Sequence, residues 1–269
     1  MTMLKNKVFG TDLKQVVSMV GMASVLTLGA LSVQAGSIVG SKHDLSSAGA
    51  GQGAAANSTT TEVCVFCHTP HGSDITAEAP LWNKKLPSPA SYTTYSTLGT
   101  ATLDGDEAAV GSVSLACLSC HDGSQAMDAV LNAPTTTASD GYNAAGAQFA
   151  GLAAMTGTPI PVVGTDLRND HPIGIVYGGH TGGADVASYV APSSASINSN
   201  TQYWVNSKGS GSADREKVDM ILFTRADGKP RVECASCHDP HNGPDGGTSN
   251  VFLRINNQSS NVCLSCHVK

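Results

Sequence analysis

Every cysteine in the 269-residue chain belongs to one of four C-x-x-C pairs, and each pair is followed at once by histidine. The four are CVFCH (Cys64, Cys67, His68), CLSCH (Cys117, Cys120, His121), CASCH (Cys234, Cys237, His238) and CLSCH (Cys263, Cys266, His267). Two thiols with two residues between them can both reach one edge of a porphyrin and add to its vinyl groups. The adjacent histidine then lies under the iron as proximal ligand, so the pattern is the attachment signature of c-type haem. Zinc sites and disulfides also use paired cysteines, but neither requires histidine after every pair. With nine histidines in the chain, four such coincidences would arise by chance on the order of once in a million placements. The reading is four covalently bound haems, and a fold that must accommodate them.

Composition agrees with such a core. Gly, Ala, Ser, Thr and Asn dominate, with five Phe, six Tyr and two Trp in the whole chain. So few large side chains would struggle to offset the chain's conformational entropy by burial. The expectation is a mostly irregular, loop-rich multihaem cytochrome c fold with a few short helices and a small β-hairpin, laid over a core of haems. Short helices are expected within Glu107 to Ala133 and Ser259 to His267, and a hairpin over Val218 to Glu233 turning at Ala226-Asp227-Gly228-Lys229. Ser46 to Thr61, Asn132 to Pro161 and Thr181 to Ser212 read as long polar loops, with no strong sheet pattern anywhere.

Residues 1–35 carry Lys5, Lys7 and Lys14, an apolar run from Val16 to Val33 and the small-residue site Val33-Gln34-Ala35. That order is a secretory signal peptide, leaving 36–269 as one tetrahaem domain that starts at Gly36. A retained membrane anchor is the rival reading, which Ser18, Thr27 and Ser32 within the run disfavour. Losing three lysines and one aspartate takes the formal charge from −6 to −8. An acidic, exported chain is expected, with no nucleic-acid partner and no transmembrane segment after cleavage.

The sixth ligand of each iron separates an electron carrier from an enzyme. Beyond the four proximal histidines the chain has His43, His71, His171, His180 and His241, more than the four open positions require. Four bis-histidine haems leave no iron free for substrate, so the chemistry is one-electron transfer and the protein is not an enzyme. His71 cannot pass round the macrocycle from His68 to the opposite face of the same iron, and His241 stands in the same relation to His238, so each must serve a different haem. Pro70 and Pro240 stiffen these bridges. His43, His71, His171 and His241 are the candidate distal ligands, Asp170 is a candidate partner for a ring nitrogen of His171, and His180, among glycines, is left unused. Trp82, Tyr92 and Tyr95 read equally well as packing on haem edges or as ordinary core aromatics.

The series CVFCHTPHG, APLWN, CLSCHDG, GTDLRNDHPIG, CASCHDPHN, FLR and CLSCHVK resembles the tetrahaem outer-membrane cytochromes of metal-reducing bacteria, the OmcE type, which polymerise into extracellular nanowires. The likeness runs from about His43 to Lys269, the polar loops apart. It implies bis-histidine c-haems continuing across subunit junctions in a head-to-tail homopolymer, with His71 as the ligand given to a neighbouring subunit. It also implies an extracellular or cell-surface location and redox partners among other cytochromes and extracellular acceptors. The competing functions are a monomeric periplasmic tetrahaem shuttle and a multihaem nitrite or hydroxylamine reductase; the surplus of histidines argues against the reductase.

Overall fold

A computed structural model describes residues 38–47, 49, 60–100, 103, 105–133, 152–156, 161–183, 185–207, 214–242 and 252–268. The expected signal peptide at 1–35 lies outside these residues, as do most of the expected loops Ser46 to Thr61 and Asn132 to Pro161.

A five-stranded antiparallel sheet organises the second half of the chain, which corrects the expectation of a loop-rich fold with one small hairpin. Its strands are β1 (Ile175–Val176), β2 (Ser193–Ile197), β3 (Asn200–Val205), β4 (Met220–Thr224) and β5 (Pro230–Val232), in the spatial order β1-β5-β4-β3-β2. The expected hairpin is there as β4 and β5, with Phe223 opposite Arg231. The stretch Thr181 to Ser212, read as a loop, contains β2 and β3. Asn198 and Ser199 take positive φ (50° and 63°) between Ile197 and Asn200, which face each other across the ladder. A two-residue loop of that conformation matches the twist of a hairpin. The strand it builds is polar and exposed along its length after Ser193, so backbone pairing holds it and no hydrophobic alternation marks it.

The sheet turns real apolar surface inward at its centre. Val205, Met220 and Leu222 pack with Tyr177 in a buried cluster, and Tyr189, Ile255 and Cys266 close over it. Tyr177 donates its hydroxyl to the carbonyls of Val190 (2.8 Å) and Cys266 (3.2 Å), which docks the fourth motif on the sheet.

Helix α1 (Ser112–His121) carries the second motif, α2 (Cys234–Cys237) the third and α3 (Asn261–Cys266) the fourth; the first sits on a 3-10 turn, Cys64–Phe66. The helices within Glu107 to Ala133 and Ser259 to His267 are therefore as expected. α1 is buried on several sides, with Val113, Leu115, Ala116 and Leu118 all inside. Leu115 and Leu118 join Tyr92, Val110 and Leu167 in a second cluster. A third, of Phe66, Met127 and Leu152, packs on Cys67. Among the described residues no helix is long and apolar enough to cross a membrane.

Candidate haem-binding site

The first, third and fourth motifs fold into the same turn. The N–H of the histidine donates to the carbonyl of the first cysteine at His68 (2.8 Å), His238 (3.1 Å) and His267 (2.9 Å). After the turn each of these histidines runs extended and forms a β-bridge, His68 with Trp82, His238 with Leu253 and His267 with Tyr189. The residue after each bridge partner then donates its N–H to the carbonyl of the second cysteine: Asn83 to Cys67, Arg254 to Cys237, Val190 to Cys266. The first and third motifs match most closely. Leu81 and Phe252, one before the bridge partner in each, share a positive φ (57° and 55°). A clamp of this kind fixes both cysteines and the histidine of the first, third and fourth motifs.

The motifs stand next to one another in chain order. Cys120 is among the groups that act on the Cys67 thiol, a hydrogen bond links the thiols of Cys117 and Cys234, and Cys263 acts on Cys237. Glu233, buried beside Cys234, binds α1 to the third motif. Its carboxylate accepts from the Ser114 hydroxyl (2.6 Å) and from Arg225 (2.8 Å), and Ser114 in turn accepts the Cys234 N–H (3.0 Å). Gly111, at the start of α1, has no room for a side chain, because a β-carbon there would collide with Glu233 Oε1 and Arg225 Nη2.

The histidines meet in twos, each pair joining a motif histidine to one from elsewhere. His68 and His241 have ring centres 6.0 Å apart with planes 16° from parallel; His121 and His43 are 6.1 Å apart at 83°; His267 and His171 are 6.4 Å apart at 65°. Two imidazoles on opposite faces of one iron, each with a metal–nitrogen bond of about 2 Å, stand with ring centres roughly 6 Å apart. The residues therefore fit bis-histidine ligation of haem. Their outer nitrogens agree. Nδ1 of His68 faces the Pro80 carbonyl (2.7 Å), that of His121 the Pro161 carbonyl (2.8 Å) and that of His171 the Pro172 carbonyl (3.0 Å). A carbonyl can only accept, so the proton sits on Nδ1 and the Nε2 lone pair is left for a metal. His241 Nδ1 lies 3.6 Å from the Asp239 carboxylate. Burial, with His121 adding to it, pushes the pKa of His43 down to about 4, which keeps the ring in the neutral form a metal requires. The partner of the His171 ring is thus the Pro172 carbonyl rather than Asp170.

Other metal chemistry fits less well. All eight cysteines are free of disulfides. Among the described residues no three of His, Cys, Asp and Glu converge as in a zinc cage. Trp82 stands edge-on to His68 (6.2 Å), while its buried indole N–H has no hydrogen-bond partner among the described residues. A protein-family model, the doubled CXXCH motif, matches residues 227–269, the segment with the third and fourth motifs. The chain is multihaem and c-type cytochrome-like. The doubled CXXCH motif indicates c-type haem binding. No curated protein sequence matches it.

The remaining candidates fall outside the three pairs. His71 is exposed. His180 is half-buried with its ring edge-on to Tyr203 at 6.0 Å. Tyr92 belongs to the core and donates its hydroxyl to Asp122 (2.7 Å), and Tyr95 donates to the Asp170 carbonyl (2.7 Å). Sequence reasoning passed over Lys84 and Glu233, both buried. Lys84 is followed by Lys85, and nothing in LWNKK distinguishes the inward lysine from the outward one.

Proposed function

We propose that the chain is an electron-transfer protein carrying four bis-histidine c-haems, one on each motif, and not an enzyme. The observation that carries this reading is the set of three histidine pairs, each uniting a motif histidine with a distant one at the spacing of two ligands on one iron. A haem so ligated exchanges one electron between ferric and ferrous iron and offers no open position to substrate. The protein's part is to hold two thioether sulfurs per motif, to point Nε2 by fixing the Nδ1 proton on a carbonyl, and to keep successive motifs side by side. Pairing also ties distant segments together, since His241 follows the His238 turn yet faces His68.

In the same proposal the protein is exported and polymerises head to tail into an extracellular conducting filament, exchanging electrons with partner cytochromes and external acceptors. The likeness to nanowire cytochromes supports this, together with the place of His71 outside the three pairs. His71 would bind a haem of the next subunit, that of His238, the motif histidine outside the three pairs. Absorption and EPR spectra of the purified protein test the ligation: all haems are expected to be six-coordinate and low-spin. A high-spin ferric component of about one haem per chain would instead favour a reductase. Negative-stain microscopy of secreted material distinguishes filaments from a monomeric periplasmic shuttle.

A further inference from the structure

Lys84 is completely buried, yet it has a built-in nest of acceptors. Its Nζ donates to the carbonyls of Ala126 (3.1 Å), Met127 (3.3 Å) and Ala129 (2.8 Å). An ammonium has three N–H donors, and three carbonyls take them, so the group is held as a cation. Among the described residues no carboxylate forms an ion pair with it. Among the described residues the groups that accept from Nζ are peptide carbonyls, in surroundings where its field is weakly screened.

Its position is fixed between the first two motifs. Asn83, its neighbour, donates its N–H to the Cys67 carbonyl (2.9 Å) and its side-chain amide to Val65 (2.7 Å). The carbonyls that hold Nζ belong to the loop that follows Cys120 and His121. The anions nearby are engaged elsewhere: Asp122 accepts from Tyr92 and Ser124, and Asp128 accepts the Leu152 N–H.

We propose that Lys84 is a fixed positive charge that raises the reduction potentials of the first two haems. The inference rests on the reading that the first two motifs carry haem. A cation in a dry site favours ferrous over ferric iron, because the reduced centre carries one positive charge fewer. The stem of Lys84 packs where a neutral side chain of like length would fit, so position and charge can be separated by substitution.

The test is a spectroscopic redox titration of the haem-loaded protein, its Lys84→Met and Lys84→Gln variants, and Lys84→Arg. In either neutral variant the haems of His68 and His121 are expected to need at least a tenfold higher reduced-to-oxidised driving ratio, a shift of about 59 mV downward for one electron. The haem of His267 should titrate as before, and Lys84→Arg should stay near the unsubstituted protein. EPR identifies the haems, because the near-parallel rings of His68 and His241 and the near-perpendicular rings of His43 and His121 give different ferric signals. Unchanged titration in a fully loaded neutral variant overturns the proposal. Should neither neutral variant load, the unsubstituted protein decides: the haems of His68 and His121 must titrate above that of His267, and the reverse order overturns it. Haem content, measured separately, reports on the reading it rests on.

Discussion

A histidine's role in this chain follows from what its two nitrogens face. His171 illustrates it: Nδ1 is engaged by the carbonyl of Pro172 while the ring stands 6.4 Å from that of His267. Changing His171, His241 or His43 to alanine is expected to leave one iron short of its distal ligand. All haems should stay attached, since attachment depends on the cysteines, and EPR should show one new high-spin signal in each variant. His180→Ala should leave the spectrum unchanged, because that ring packs on Tyr203; a high-spin signal there would reverse the assignment. The motif cysteines and histidines were legible in the sequence, for the CxxCH spacing states its own chemistry. Which distal histidine meets which motif was not. His43 reaches His121 and His241 reaches His68 through the crossing of segments far apart in the chain, and local pattern carries no record of that.

At the scale of elements the sequence was readable where packing follows a period and mute where it does not. The β4–β5 hairpin showed itself through MILFT, a turn and PRV, and the helices of the second and fourth motifs fall in the stretches expected, whereas the short helix of the third was not expected. β2 and β3 did not, because SSASI is a polar edge strand and β3 is buried only at Trp204 and Val205. Its register comes from the Asn198-Ser199 turn instead. Ser199 holds a left-handed backbone (φ 63°) that costs a side-chain-bearing residue roughly 1–2 kcal/mol. Glycine avoids that cost but loses about 0.5–1 kcal/mol in chain entropy, so Ser199→Gly is expected to raise the thermal midpoint slightly. A fall in the midpoint would mean that the hairpin is not held by this turn. The centre of the sheet predicts a larger effect. Leu222→Ala removes a buried side chain from the cluster that Cys266 helps to close, at a cost of about 2–5 kcal/mol. Denaturant unfolding followed at the haem band should show that loss.

For the whole molecule the open question is what the exposed His71 binds. It lies three residues beyond His68, and its counterpart three beyond His238 is His241, which faces His68 within the chain. The two segments share a turn, a bridge and a positive-φ residue, and both histidines are exposed, yet among the described residues His241 faces a motif histidine while His71 lies outside the three pairs. If His71 ligates a haem of the next subunit, each protomer gives a ligand at one place and receives one at another. A contact of that kind is heterologous and need not close into a ring, so it propagates into a helical filament. An iron–imidazole bond at every junction would strengthen the interface beyond what its area supplies and would carry the haem chain across it. His71→Ala is therefore expected to give soluble protomers, each with one ligand-deficient haem, and no filaments by negative-stain microscopy. His241→Ala, by contrast, should lose a ligand within the protomer at the His68 iron. Normal filaments from His71→Ala, with every haem low-spin, would show that the junction does not run through this side chain and that assembly, if it occurs, is held by another ligand.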